Sequence, residues 1–530
     1  MKATYIDYSE TNSFSKILLA YISGDKDLAS FYGNEPTLEG FGKQILDKSS
    51  FPESTRQVLV AELILQYEGL LDAAPAVEAN IESLQQPNTF TVTTGHQLNL
   101  FTGPLYFIFK IASAIRLSRD LKAAYPDYNF VPVYWMATED HDFAEINHTW
   151  LHGRKISWDR PALSATGRMP TQDFVATLKT YQGALGLSGH AAELAQIVEE
   201  AYMGQSNLAD ATRLLVHRLF GHEGLVILDA DNENLKREFL PIMSEDIRKG
   251  QSAVAISDSN ALLQERGFGV QVNGRPINFF YLTDDYRERI VSEEGNFEVL
   301  NQSVRFTEAE LEAELSAHPE RFSPNVVMRP LYQETILPNL AYIGGGAEIA
   351  YWLQLKGVFD YYQQPFPILV PRNSAIVTDR SVADKLSRLN LDFRQVFMPT
   401  DVLQREYVAR HSNHRLGLKE EWEEFHAVFE KIKQRASRID STLGPSTAAV
   451  EARLRRAIQN LEKKLLKADI RNHQDAVLQI ERIKEKLFPG GGLQERKENF
   501  GLYYVQHGQR LFSELIHKFD PLDFKFTVLY

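Results

Sequence analysis

The sequence has no cysteine, which excludes disulfides, zinc–cysteine sites, iron–sulfur clusters and a thiolate nucleophile at once. A chain free of disulfides is expected in the cytoplasm. A surplus of basic charge is also missing: Lys+Arg 57 against Asp+Glu 70 gives a formal net charge of -13, a field that repels nucleic-acid phosphates and anionic membrane surfaces. The opening MKATYIDYSETNSF has no basic stretch followed by an apolar one, so no secretory signal is expected. The apolar run 130–137 falls far short of the roughly 20 residues of a spanning helix. Nucleotide and hydrolase signatures are absent too. There is no GxxxxGK[ST], GFGVQVNG at 267–274 and GGGAEIA at 344–350 both miss the GxGxxG spacing, and no GxSxG occurs. What remains is a 530-residue chain, 44% hydrophobic and 24% charged, with the composition of a globular protein and room for several domains.

Residues 1 to about 86 read as mostly helical, because Val60, Leu63, Ile64, Tyr67, Leu70 and Leu71 recur at helical spacing after Pro52. From 90 the texture changes. A run rich in β-branched residues at 90–94 leads through the turn GHQLNLFTGP into a helix over 105–121, with Pro104 as its first residue. A second strand at 130–137 stops at a polar cluster, and the apolar runs 225–228 and 368–370 read as buried strands of the same kind. Helices alternating with such strands predict an α/β fold, a mainly parallel sheet with helices on both faces. The stretches near 150–222 and 250–330 break the alternation and read as insertions within a core of 1–418. Over 419–488 the pattern becomes that of an antiparallel coiled-coil hairpin. Trp422, Phe425, Phe429, Ile432, Ala436 and Ile439 form one stripe, and Val450, Leu454, Ala457, Leu461 and Leu465 a second one after Gly444-Pro445, the expected turn. The hairpin either lies on the body or stands out as a dimerisation arm. After Pro489-Gly490-Gly491-Gly492, residues 489–530 are expected to return to the core.

Three segments carry residues suited to chemistry. Thr94-Gly95-His96-Gln97 with Thr102-Gly103-Pro104 joins a strand to a helix N-terminus, a natural seat for phosphate or carboxylate. Within that helix Lys110 is the only charge before Arg116, and a buried lysine needs a partner, either an internal carboxylate or a bound anion. Next, Glu139, Asp140, His141 and Asp142, with Glu145, Asn147, His148 and His152 close behind, follow the carboxyl end of a strand, where α/β sheets bind ligands. Carboxylates beside an imidazole suit acid–base work. They also allow a metal, although no defined metal spacing is matched, or plain loop capping. Last, Gly344-Gly345-Gly346 precedes a helix and would let a ligand approach the backbone. Arg329 and Arg372 flank this loop and read as anion clamps or as structural ion pairs.

In order along the chain, TGHQLNLFTGPLYFIFK, VYWMATEDHDFAEINH, LPNLAYIGGGAEIAYW and QERKENFGLYY closely resemble the family of cysteine-adding ligases of bacillithiol biosynthesis. The resemblance implies a Rossmann-like core akin to nucleotidyltransferases and class I aminoacyl-tRNA synthetases, with two connecting-peptide insertions and a coiled coil used in dimerisation. It also implies the addition of cysteine to glucosaminyl-malate by amide formation. It places the active site at Asp140, His141 and Glu348, with Glu139 and Asp142 beside them and Tyr351 in the substrate wall. His96 stands where family members often carry Gln, so it is read with Gln97, Thr102, Gly103, Lys110, Asn147, Arg329, Arg372 and the three glycines as a binding residue. A free carboxylate needs activation before it forms an amide, so ATP or ADP is the one cofactor admitted; no residue is assigned to a metal. The expected partners are the two small substrates and a second copy of the chain, with neither nucleic acid nor membrane. A metal-dependent hydrolase built on the Glu139–Asp142 cluster and a non-enzymatic coiled-coil assembly protein are the competing classes.

Overall fold

Strands that read as continuous apolar runs need cover on both faces. In the computed structural model, which describes residues 1–70, 74–162, 164–293 and 295–530, five strands, most of them of this kind, form a parallel sheet. They are β1 (Thr89–His96), β2 (Asn129–Met136), β3 (Val226–Asp229), β4 (Asn339–Gly344) and β5 (Ile368–Pro371). Their order is β5-β4-β1-β2-β3, and every adjacent pair is parallel. The order reverses between β1 and β4, so the crevice beyond their carboxyl ends is the topological switch point of a doubly wound sheet. On one face Phe90, Val92, Ile343, Ile368 and Val370 pack with Ala114, Leu117 and Leu121 of helix α1 (Tyr106–Ala124) and with Phe41 and Ile45. Val131, Val133 and Tyr134 of β2 belong to the larger core.

Three of these strands match apolar runs in the sequence and β1 a run rich in β-branched residues; β4, an interior strand beside β1, matches neither. It opens on a buried asparagine and closes on glycine, a poor strand signature. Asn339 is nonetheless fully satisfied: Thr91 and Thr93 donate to its Oδ1 at 3.0 and 2.8 Å, and its Nδ2 donates to Glu334 at 2.6 Å. The first 86 residues are not purely helical either. Ala3–Asp7 is a strand that pairs antiparallel with Lys525–Leu529, which in turn pairs parallel with Ala375–Val377. In the helix Glu53–Gln66, Val60 and Leu63 are buried as expected, but Ile64 is exposed; Leu71 lies outside the described residues. Helix α1 begins at Tyr106 rather than at Pro104, because the Leu105 N–H is taken by the Glu498 carbonyl at 2.8 Å and Pro104 bridges to Asn499.

The interrupted stretches carry structure of their own. Residues 150–222 supply helices Val175–Leu185, Gly189–Gly204 and Leu208–Phe220. Downstream of β3 come helix α2 (Glu233–Lys249) and, within 250–330, an antiparallel sheet that includes the strand Arg287–Glu293. Two short helices then flank β4: α3 (Arg329–Ile336) before it and α4 (Gly346–Trp352) after it. All of this lies in one compact unit made of Met1–Ser9, Ser13–Val377 and Gly492–Tyr530.

The second unit, Glu10–Asn12 with Thr378–Gly491, is helical. The sequence change at Lys419 marks the start of its first long helix, whereas the unit itself begins at Thr378. It contains α5 (Thr400–His411), α6 (Lys419–Ile439), α7 (Leu443–Asn472) and α8 (Gln474–Leu487). The turn between α6 and α7 is made by Asp440, whose carboxylate accepts from the Thr442 N–H and hydroxyl at 2.8 Å each. Gly444 and Pro445 therefore fall inside the first turn of α7, where a missing N–H leaves no bond unmade. Among the described residues no helix is long and apolar enough to cross a membrane.

Arg372, at the end of β5, is locked in the first unit. Its guanidinium meets the fully buried Glu495 at 2.7 Å and also donates to Ser374 Oγ at 3.2 Å. Arg372→Met leaves Glu495 an uncompensated buried charge, and the expected loss is about 3–5 kcal/mol in denaturant unfolding.

Candidate active site

Gly95 and His96 end β1, Gly344 ends β4, and beyond these neighbouring ends lies a cavity of about 160 Å³. Gly95, His96 and Gln97 line one side; Glu348, Tyr351 and Trp352 of α4 and Arg329, Pro330 and Gln333 of α3 line the others. Trp135, Ala137, Val326 and Tyr342 complete the wall. Lys110 supports it from behind. Its ammonium lies 2.5 Å from Glu348 Oε2 and donates to the Gly95 carbonyl at 2.8 Å. Glu348 also accepts from the Gly345 N–H at 2.7 Å and from the Tyr342 hydroxyl at 2.8 Å. Burial pushes the Lys110 ammonium down while Glu348 opposes it. Of the two partners open to Lys110, the chain provides the internal carboxylate.

The glycine loop is shaped by the chain itself. A Cβ on Gly346 would lie 3.0 Å from Leu18, and one on Gly344 3.1 Å from the Tyr342 ring, so packing already accounts for these two glycines. His96 sits against Tyr106 and Phe107, with ring centroids 5.3 and 5.2 Å away, and its buried Nε2 has no partner. Burial, reinforced by Lys110 and Arg372, holds this imidazole well below its ordinary value and hence neutral at pH 7.

The Glu139–Asp142 cluster splays apart instead of converging. Glu139 is buried against Lys236 of α2 at 2.5 Å. Asp140 holds Arg329 in a two-pronged contact, Oδ2 at 3.2 Å from Nη1 and Oδ1 against Nη2. Burial pushes the Asp140 carboxyl up, but Arg329, helped by Arg287 and His141, outweighs it and holds it below the usual value. His141 turns its Nδ1 to Arg287 at 2.9 Å, and Asp142 is exposed. Three cations thus answer three of the four side chains, which is not the geometry of a shared metal. Among the described residues, the side chains close enough to share an ion are His426, Glu430 and Glu451 of the helical unit.

The remaining expected binding residues are dispersed. Gln97 faces the cavity and donates to Glu145 at 3.0 Å. Asn147 bonds to His148 at 3.0 Å, away from the cavity wall. Thr102 and Gly103 both have positive φ, in a loop held by Asn499, whose Nδ2 donates to the Phe101 and Gly103 carbonyls at 2.8 and 2.7 Å. That loop and Arg372 are parts of the frame rather than of the cavity wall. Trp135, Gln333 and Tyr342 are wall residues that sequence reasoning missed: Trp135 sits in a strand that reads as core, and in the run 329–356 the arginine and the glycines, not Gln333 and Tyr342, stand out. The available signal was position: Trp135 and Tyr342 lie one and two residues before their strands end.

Lys110→Met removes one partner from a pair whose carboxylate is one quarter exposed. The expected destabilisation lies at the lower end of about 3–5 kcal/mol, read in thermal or denaturant melts of the ligand-free protein. A melt unchanged from wild type would mean that the pair contributes nothing to the fold.

Residues 1–373 match the family described as bacillithiol biosynthesis BshC, N-terminal Rossmann-like domain, and residues 375–530 its C-terminal coiled-coil domain. A Flavobacterium johnsoniae protein named "Putative cysteine ligase BshC" is 42% identical over 530 residues, 100% of each chain. Proteins of the same name from Flavobacterium psychrophilum and Bacillus cytotoxicus are 40% and 29% identical, covering 100% and 92% of this chain and 99% and 93% of their own. With both halves of the chain matched in order, the protein belongs to the bacillithiol biosynthesis BshC family.

Proposed function

We propose that this protein is a cysteine ligase, joining the carboxyl of cysteine to the glucosamine amine of glucosaminyl-malate as an amide, and that it works in the cytoplasm. The observation that carries the proposal is the pairing of opposite charges, Glu348 and Arg329, on the wall of one small cavity at the switch point. A zwitterionic amino acid needs both. An ionised carboxylate offers about four acceptor positions, and Lys110, Gly345 and Tyr342 take three at Glu348, leaving one for an ammonium. A guanidinium has five donors, of which Asp140 engages two nitrogens at Arg329. Aromatic walls at Trp135, Tyr351 and Trp352 suit a short thiol side chain.

The cysteine carboxylate needs activation: its oxygen attacks a phosphorus of a donor such as ATP, the new O–P bond forms, and ADP or pyrophosphate leaves. The amine then attacks the acyl carbon, the C–N bond forms, the acyl C–O bond breaks, and the proton lost from nitrogen leaves with the released phosphate or AMP. A second, larger cavity of about 540 Å³ is lined, among the described residues, by Glu62, Glu68, Asp210, Asp229 and Asp231 against the single cation Arg213, a balance that disfavours the two carboxylates of malate. Incubation with cysteine, glucosaminyl-malate and ATP should yield the cysteinyl amide by mass spectrometry. Glu348→Gln should raise the KM for cysteine roughly 10- to 100-fold, the scale of a lost charged hydrogen bond, with the KM for glucosaminyl-malate little changed. Wild-type protein that forms no amide under these conditions, with or without a cell extract as activator, sinks the assignment.

We also propose that the helical unit dimerises. Phe425, Val428, Ile432, Ile439, Val450, Leu461 and Leu465 of α6 and α7 are exposed, and α6 has no buried residue. Apolar stripes of this extent suit a second copy across a two-fold axis. Replacing Phe425 and Phe429 by Asp is expected to give monomers in light scattering; a dimer of unchanged mass places the interface elsewhere.

A further inference from the structure

Arg287 reaches the Glu139–Asp142 cluster from the antiparallel insertion, 146 positions along the chain from His141. It is 5% exposed and fixed on three sides. Nε donates to Ser323 Oγ at 3.0 Å, Nη2 to the Pro324 carbonyl at 3.3 Å, and the guanidinium lies 4.0 Å over the Phe280 ring. Nη1 is left, and it meets His141 Nδ1 at 2.9 Å. A guanidinium only donates. Nδ1 must therefore present its lone pair, and the proton of the neutral imidazole sits on Nε2.

We propose that Arg287 is a positioning residue that locks His141 as the Nε2–H tautomer, leaving the ring a hydrogen-bond donor rather than the base that takes the amine proton. The tautomer follows from the geometry alone; its use in the reaction rests on the ligase reading above. The charges around the ring agree. Burial and Arg287 push His141 down, Asp140, Asp142 and Glu288 pull it up, and the balance falls below the ordinary value, so the ring is neutral at pH 7. Arg287 is itself pushed down by burial to about 10 and remains a cation at that pH. Asp140, the neighbouring carboxylate, is engaged by Arg329 and is a weak base for the same reason.

The test reads the free protein first. In long-range proton–nitrogen spectra of protein labelled with 15N-histidine, with His141 assigned by its loss in His141→Gln, wild type should show the Nε2–H form. Arg287→Met should show mixed tautomers and a higher His141 titration midpoint, and Arg287→Lys, which keeps a donor, should retain the Nε2–H form. In turnover, Arg287→Met should lower kcat by a few-fold, in step with the fraction of the Nε2–H form lost, with the KM for cysteine little changed, and Arg287→Lys should restore it. An Nδ1–H form or an imidazolium in wild type at pH 7 overturns the proposal, as does an unchanged tautomer in folded Arg287→Met. If Arg287→Met does not fold, the wild-type and Arg287→Lys spectra decide. An Nε2–H ring in a protein without ligase activity overturns the ligase reading and upholds the lock; an active ligase with an Nδ1–H ring does the reverse.

Discussion

An ammonium placed in the middle of an apolar helix must be answered by a carboxylate, and the site is organised around that answer. Lys110 leaves α1 beneath the end of β1, takes the Gly95 carbonyl on the way, and meets Glu348 in the first turn of α4. One ion pair thereby ties together the two strand–helix junctions on either side of the switch point. The other contacts of Glu348, to Gly345 and Tyr342, fix its carboxylate in direction as well as place. A carboxylate held on three sides has little freedom to move, so this end of the cavity is preorganised.

The Glu139–Asp142 cluster illustrates how far residue type and location carry and where they stop. The strand end, the polar run and its suitability for chemistry were all legible in VYWMATEDHD. The partners were not, because Lys236, Arg329 and Arg287 arrive from α2, α3 and the antiparallel insertion, far away in sequence. A carboxylate–imidazole run is compatible with acid–base work, metal binding or ion pairing until its neighbours are known. Here Glu139 and Asp140 each meet a cation in an ion pair, and His141 accepts a hydrogen bond from Arg287.

The same contrast holds for the fold. β2, β3 and β5 were legible because strands buried on both faces spell continuous apolar runs, and β1 because of its β-branched residues. β4 was not, because its place is secured by the amide of Asn339, a residue that usually argues against a strand. The hairpin was legible in its stripes but not in its turn: the periodicity of α6 and α7 is local, whereas the choice of Asp440 over Gly444-Pro445 as the turning point depends on which carboxylate caps which N–H. Lys110 could be recognised as needing a partner, since burial of the whole helix was evident, but only the folded chain shows which carboxylate serves.

The pairing of Ala3–Asp7 with Lys525–Leu529 bears on how the protein is made. Thr4 and Tyr530, whose hydroxyls lie 3.4 Å apart, are separated by 526 positions. Asn499, which clamps the loop after β1, comes almost as late. During synthesis the parallel sheet can assemble as its strands emerge, but the separate three-stranded sheet and the clamp on the loop after β1 must wait for Lys525–Leu529 and for Asn499. Contacts of such separation form slowly, and until they do an unpaired edge stays open. Closure of the loop after β1 by Asn499 is thus a late step of folding.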